Sequence, residues 1–181
     1  MRIIAGKYGG RRLVSFKADH IRPTTDRVKE TVFNKLQFII EGSTVLDLFS
    51  GTGSLAVEAL SRGATFVQAV ESSPKSLSII RENKKLLGIG AELSISPLDV
   101  FKFLKRCESS FDIILVDPPF TKKIAHEVLM ALDESSVLHE NTEIFIESTS
   151  KETVEPNYKR LVRENHKSYG DKFLSHYILV K

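Results

Sequence analysis

The stretch from Thr44 to Leu55, Thr-Val-Leu-Asp-Leu-Phe-Ser-Gly-Thr-Gly-Ser-Leu, constrains the fold of this chain more than any other. It begins as an apolar run with one acid, Asp47, turns on Gly51 and Gly53, and takes up helical apolar spacing from Ser54. A short apolar run that stops at glycines reads as a buried strand of a parallel sheet. The glycines let the backbone turn sharply and approach a ligand with no Cβ in the way. The helix that follows directs its unpaired N–H groups at the same point. Strand, glycine turn and helix make a binding corner for a nucleotide-like ligand, or, on the plainer reading, a tight β–α turn with no ligand.

Two cofactors fit such a corner. Gly51-x-Gly53-x-x-Ala56, with Glu71 further on, matches a dinucleotide-binding pattern. Asp47 argues the other way, because a carboxylate repels a pyrophosphate. S-adenosylmethionine carries a sulfonium and an ammonium and no phosphate, so it suits an acid at this place, and Asp47, Gly51 and Gly53 are candidate cofactor contacts.

The 181 residues make one domain with room for a small appendage, large enough for a core that needs no covalent staples. A single cysteine, Cys107, excludes an internal disulfide or a cysteine–zinc cluster and suits a reducing cytoplasm. The amino terminus has no apolar core of signal-peptide type, and no run reaches membrane-span length, so a cytoplasmic chain is expected. His20, His126, His139, His166 and His176 lack metal-ligand spacing, and no metal is expected. Charge is uneven: residues 1–35 hold nine Lys/Arg against three Asp/Glu, a net of +6, whereas the rest of the chain is mildly acidic. A basic segment on an acidic body suits nucleic acid, or is a solvated basic surface.

Residues 2–6 and 11–16 are β-like runs around Lys7-Tyr8-Gly9-Gly10 and predict a hairpin, giving a basic extension over residues 1–20 and a main domain over 21–181. Arg2, Lys7, Arg11, Arg12 and Lys17 stud that hairpin as candidate nucleic-acid contacts, with Tyr8 at the tip able to stack on a base, or the hairpin is a surface feature with no partner. Pro23 disfavours helix at Arg22, and Thr24 or Thr25 can cap a helix whose apolar spacing runs through Val28, Val32, Phe33, Leu36 and Ile40. Arg22, Thr24 and Asp26 therefore gather at a helix start, where they hold an anion or a cofactor carboxylate, or simply face water.

Thr65–Val70 predicts a second buried strand with Glu71 at its tip, 24 residues after Asp47, the spacing of one β–α–β unit. An acid there can accept both ribose hydroxyls of a nucleoside. Pro74 opens a helix on which Asn83 reads as structural. A strand over 91–95 leads to Asp99, an N-cap that can also accept from an adenine amino group. Phe111–Val116, the most apolar strand, runs into Asp117-Pro118-Pro119-Phe120. Two prolines make a stiff loop with carbonyls free to accept, placed where open α/β sheets bind ligands. Asp117 adds a carboxylate and Phe120 an aromatic face, so the four residues offer what a flat, amino-bearing base requires. Thr121–Leu132 predicts a helix, Thr142–Glu147 a fifth strand, and 159–164 with 173–180 an antiparallel closing pair around Tyr169-Gly170-Asp171.

In this order the motifs resemble those of a class I S-adenosylmethionine-dependent methyltransferase, and Asp117-Pro118-Pro119-Phe120 looks like the signature of enzymes that methylate exocyclic or amide nitrogens. Arg2–Gly6 with Gly10–Leu13, Arg22–Glu30 and Tyr169-Gly170-Asp171 are similar to the RsmD family, bacterial methyltransferases of guanine N2 in small-subunit ribosomal RNA; Phe120 stands where many relatives have Tyr. The resemblance implies a Rossmann-like fold with a seven-stranded, mostly parallel sheet flanked by helices. It also implies Asp117, Pro118, Pro119 and Phe120 as catalytic, and Phe49 and Val100 as further cofactor contacts beside Asp47, Gly51, Gly53, Glu71, Asp99, Arg22, Thr24 and Asp26. The implied partner is small-subunit RNA or the assembled particle, met by a monomer. Rival readings are a DNA adenine-N6 methyltransferase, a protein glutamine methyltransferase, a nicotinamide oxidoreductase and a non-catalytic RNA-binding assembly factor.

Overall fold

The apolar runs of the sequence form the middle of a single sheet. Strands β1 (Thr44–Leu48), β2 (Phe66–Val70), β3 (Leu93–Ser96), β4 (Ile113–Val116) and β5 (Glu143–Thr149) pair in parallel. Strands β6 (Leu161–Tyr169) and β7 (Lys172–Leu179) complete seven strands in the order β3-β2-β1-β4-β5-β7-β6, with β7 antiparallel to both neighbours. The Rossmann-like expectation holds, closing pair included. The computed structural model describes residues 1–16 and 26–180, with the side chains of Asp26 and Arg27 outside that description. Lys17, Arg22 and Thr24 also lie outside the described residues.

Strand side chains alternate between the two faces of the sheet, and helices cover both, which is why these strands read as continuous apolar runs. On one face Val45, Val67, Ala69, Ile113, Leu115 and Phe145 pack with Phe33 and Leu36 of α1 (Asp26–Leu36), with α2 (Ser54–Ser61) and with Ile80 and Leu87 of α3 (Pro74–Leu87). On the other, Leu46, Leu48, Ile114, Val116 and Ile144 pack with α4 (Val100–Leu104) and α5 (Ala125–Glu134). Chain order reverses between β1 and β4, so a crevice opens at their carboxyl ends. No helix among the described residues is long and apolar enough to cross a membrane.

Residues 1–16 share the first core. Arg2 and Arg12 form one antiparallel bridge, and Ile3, Tyr8 and Leu13 are buried with α2 and α3. The exposed stacking tip expected of Tyr8 is corrected here: its ring is buried, and its N–H donates to Ser61 Oγ at 2.9 Å. A local hairpin pattern carries no information about the helix that covers it. Gly6, at φ +81, lies so close to α2 that a Cβ would meet the Ser61 carbonyl oxygen at 1.7 Å. Glu58 of α2, fully buried, accepts from Ile4 N at 2.8 Å, Ala5 N at 3.1 Å and Arg62 Nε at 2.8 Å, and pairs with Lys29 Nζ at 3.3 Å. Lys29 in turn donates to the Arg2 carbonyl at 2.7 Å. One buried carboxylate thus ties the amino-terminal segment, α1 and α2 together.

Two helices are shorter than their apolar spacing predicts. The first stops at Leu36, whose carbonyl accepts from both Ile39 N and Ile40 N as the chain folds back, although Ile40 stays buried. The fifth starts at Ala125 rather than Thr121. Lys122 N closes a turn on the Pro119 carbonyl and Lys123 takes φ 49, a left-handed conformation that breaks a helix. Ala125 N is then capped by Glu152 Oε1 at 3.1 Å.

Replacing Glu58 by Ala strands the Lys29 ammonium in the interior and frees two backbone N–H groups and the Arg62 Nε–H, so Glu58→Ala should lose about 3–5 kcal/mol in urea unfolding. A loss below about 1 kcal/mol, the size of a surface ion pair, would show that the network does not anchor the segment.

Candidate active site

The carboxyl ends of β1, β2, β4 and β5 bring most of the sequence-predicted site residues to one place. Beyond β1, Phe49 takes φ 60 and Gly51 and Gly53 take φ 57 and 78 before α2 begins. A non-glycine residue in this region costs on the order of 1–3 kcal/mol and marks a loop held by its surroundings. Gly53 meets two demands at once: its φ is positive, and a Cβ would stand 3.3 Å from Ile80 Cγ2 of α3.

Asp47 explains how the turn is held. Its carboxylate is fully buried, with Oδ2 accepting from Ser50 Oγ at 2.5 Å and from Ala56 N at 3.1 Å. Gly53 gives α2 no side-chain cap, so Asp47 supplies one from inside the neighbouring strand. The other oxygen, Oδ1, is buried without a hydrogen-bond partner. Burial pushes the carboxyl up to about 7; the bonds from Ser50 and Ala56 oppose this, and the charges of Asp117 and Glu71 add to it.

Glu71, just past β2, accepts from Gly51 N at 2.8 Å with Oε2 and from Ser72 N and Ser73 N at 2.8 Å with Oε1. It fixes the glycine turn from the next strand. Asp99 is exposed and caps α4 through Oδ1, which accepts from Phe101 N at 3.0 Å and Lys102 N at 3.2 Å; Val100, the first residue of that helix, is buried.

Asp117 follows β4. The register Leu48↔Val116 and Val116↔Ile146 sets it abreast of Phe49 on one side and Glu147 on the other. Asp117 and Phe120 are half-buried, Pro118 buried and Pro119 exposed. The expected pair of unoccupied proline carbonyls needs one correction, because that of Pro119 accepts from Lys122 N at 3.0 Å. Sequence reasoning missed two neighbours of this loop. The buried Lys172 donates to Glu147 Oε2 at 2.9 Å, and its ammonium lies 3.9 Å from the centroid of the Phe120 ring. Burial pushes Glu147 up to about 7, the Asp117 charge adds to this, and Lys172 pulls it back. The signal was the acid ending the run Glu143-Ile144-Phe145-Ile146-Glu147, but only the strand register puts it beside Asp117.

Asp47, Glu71, Asp117 and Glu147 therefore make the crevice acidic around an orphaned buried acceptor. That set of acceptors fits a cationic cofactor bearing an ammonium, and it does not fit a pyrophosphate. A surface cavity of about 550 Å³ lies elsewhere, beside Ser43, Asp112 and Thr142 at the amino ends of the strands. Of the candidate RNA contacts, Arg2, Lys7, Arg11 and Arg12 are exposed; the Arg11 guanidinium donates to the Leu86 carbonyl at 2.8 Å. Among the described residues no group of three or more metal-ligating side chains converges.

A carboxyl raised from 3.8 to about 7 in the fold contributes stability below its unfolded value and loses it as pH rises towards 7. Asn at position 47 keeps the oxygen that Ser50 and Ala56 use and removes the charge. Asp47→Asn should therefore be more stable than the parent at about pH 8, by on the order of 2 kcal/mol, with the gain vanishing near pH 4 in denaturant titrations. The same difference at both pH values would show that Asp47 is not ionised against a burial penalty.

A family model described as conserved hypothetical protein 95 matches residues 1–178. Ribosomal RNA small subunit methyltransferase D of Haemophilus influenzae is 37% identical over 171 residues, covering 91% of this chain and 87% of its own. The protein of the same name from Escherichia coli K12 is 34% identical over 148 residues, 82% of this chain and 74% of its own. The solved yhhF protein of Escherichia coli, provisionally assigned as a methyltransferase, superposes with a TM-score of 0.87 at 31% identity over 99% of this chain and 97% of that one. With a family match along nearly its whole length and relatives above 30% identity, the chain belongs to the RsmD family, that of ribosomal RNA small subunit methyltransferase D.

Proposed function

We propose that the protein transfers a methyl group from S-adenosylmethionine to the exocyclic N2 of a guanine in small-subunit ribosomal RNA, acting as a monomer on the assembled particle. The observation that carries this reading is Asp117-Pro118-Pro119-Phe120 standing abreast of the Asp47–Gly53 turn at the point where strand order reverses. The names of the relatives support the substrate class.

When bound, the cofactor supplies a methyl group already activated on a positively charged sulfur. The protein's residues then position the reactants and place charge. Asp47 Oδ1 would take the ammonium, relieving the orphaned oxygen. Gly51 and Gly53 admit the close approach, with Phe49 beside them. Glu71 has lone pairs left for ribose hydroxyls, and Asp99 and Val100 would hold the adenine end. Arg22, Thr24 and Asp26 would complete the pocket.

The lone pair of the guanine amino group is delocalised into the ring. Hydrogen bonds from that group to the Asp117 carboxylate and the Pro118 carbonyl would turn the lone pair toward the methyl, and the carboxylate would stabilise the positive charge that grows on nitrogen until the surplus amino proton leaves to solvent. With Lys172 against one face of Phe120, the other face serves as the stacking platform. A paired base cannot reach such a site, so the target is an unpaired or extruded nucleotide. Arg2, Lys7, Arg11 and Arg12 would grip its phosphates.

The test is labelled-methyl transfer to small subunits from cells lacking the protein, to naked small-subunit RNA and to duplex DNA, with the product nucleoside identified by mass. N2-methylguanosine from the subunits is expected. Asp117→Ala should lower kcat at least ~100-fold while S-adenosylhomocysteine still binds. Methyladenine in DNA, or an unimpaired Asp117→Ala protein, would overturn the proposal.

A further inference from the structure

The proposed mechanism uses one carboxylate of the base pocket, and the fold holds a second beside it. The β4–β5 register sets Glu147 abreast of Asp117, and opposed residues of paired strands point to the same face. Lys172, across the β5–β7 ladder, fixes Glu147 through Oε2 at 2.9 Å while lying 3.9 Å from the centre of the Phe120 ring. The same corner is polar. Thr149 Oγ1 and Tyr169 Oη, on the two residues paired with Lys172 in the flanking ladders, are buried without partners. A buried acid aligned with the catalytic acid, braced by a lysine that also touches the stacking ring, has the placement of a ligand-facing group.

Two carboxylates side by side ask for two neighbouring donors. Guanine offers that pair, its N2 amino group next to N1–H. The amino group of adenine stands next to an acceptor, N1, and that of cytosine next to an acceptor, N3. We propose that Glu147, held by Lys172, is a specificity-determining residue that accepts from guanine N1–H while Asp117 accepts from the N2 amino group. The inference rests on the guanine-N2 reading above.

The probe is 2-aminopurine, which keeps the 2-amino group but presents an acceptor at N1. Small-subunit particles are assembled on RNA carrying guanine or 2-aminopurine at the methylated position, and kcat/KM is measured for each. The parent protein should favour guanine by about 10–100-fold, the worth of one charged hydrogen bond. Glu147→Gln, whose amide can donate to N1, should bring the ratio to within about threefold of unity. The double variant Glu147→Gln/Lys172→Met removes the unpaired ammonium and should show the same ratio, which separates recognition from a folding defect. A parent ratio near unity, or variants that lose turnover of both bases equally, would overturn the role of Glu147. Failure of the underlying reading looks different: no N2 methylation of the guanine particle by the parent protein.

Discussion

A carboxylate inside a β-strand normally loses its hydration for little return. Asp47 recovers part of that cost by closing the open end of α2 through Ala56 N and by holding Ser50, the residue at which the strand becomes a turn. Ser50 at the opening of the glycine turn and Ala56 in the first turn of α2 are thus held to β1 through this group. Its second oxygen remains buried and unsatisfied. The residue that builds the corner thereby leaves it with a buried acceptor still to be satisfied, the one the proposal gives to the cofactor ammonium.

The surroundings of the turn are tied down just as locally. Asn83 of α3 donates to the Thr52 carbonyl and to the Val14 carbonyl, and accepts from Val14 N. Glu71 holds the turn from β2, and Lys29 donates to Ser54 Oγ at the first residue of α2 while pairing with Glu58. The basic amino-terminal segment, proposed to meet RNA, is therefore bonded to the same few residues that surround the proposed cofactor site. A rigid corner suits a transfer in which protein residues position the reacting groups and form no bond with them.

Much of this was legible in the sequence because it follows from short-range chemistry. Continuous apolar runs such as Ile113–Val116 demand cover on both faces, and so a sheet between helices. Glu71 and Asp99 sit where strand and helix ends place acids, and the Asp99 cap forms as read. What escaped depends on neighbours far along the chain. Tyr8 looks like a hairpin tip until α2 and α3 pack over it. Glu147 and Lys172 are unremarkable singly and acquire meaning only when β7 inserts between β5 and β6. The late start of α5 follows from the left-handed Lys123, a residue type that gives no warning of it.

Family membership, an acidic crevice with an orphaned acceptor, and a carboxylate beside two prolines are what the proposed methyl transfer to a base amino group rests on. The most direct measurement is nucleoside mapping by mass spectrometry of small-subunit ribosomal RNA from cells with and without this protein. The account predicts that a single N2-methylguanosine present in the first is replaced by unmodified guanosine in the second, with other modifications unchanged. Identical modification maps from the two would contradict it.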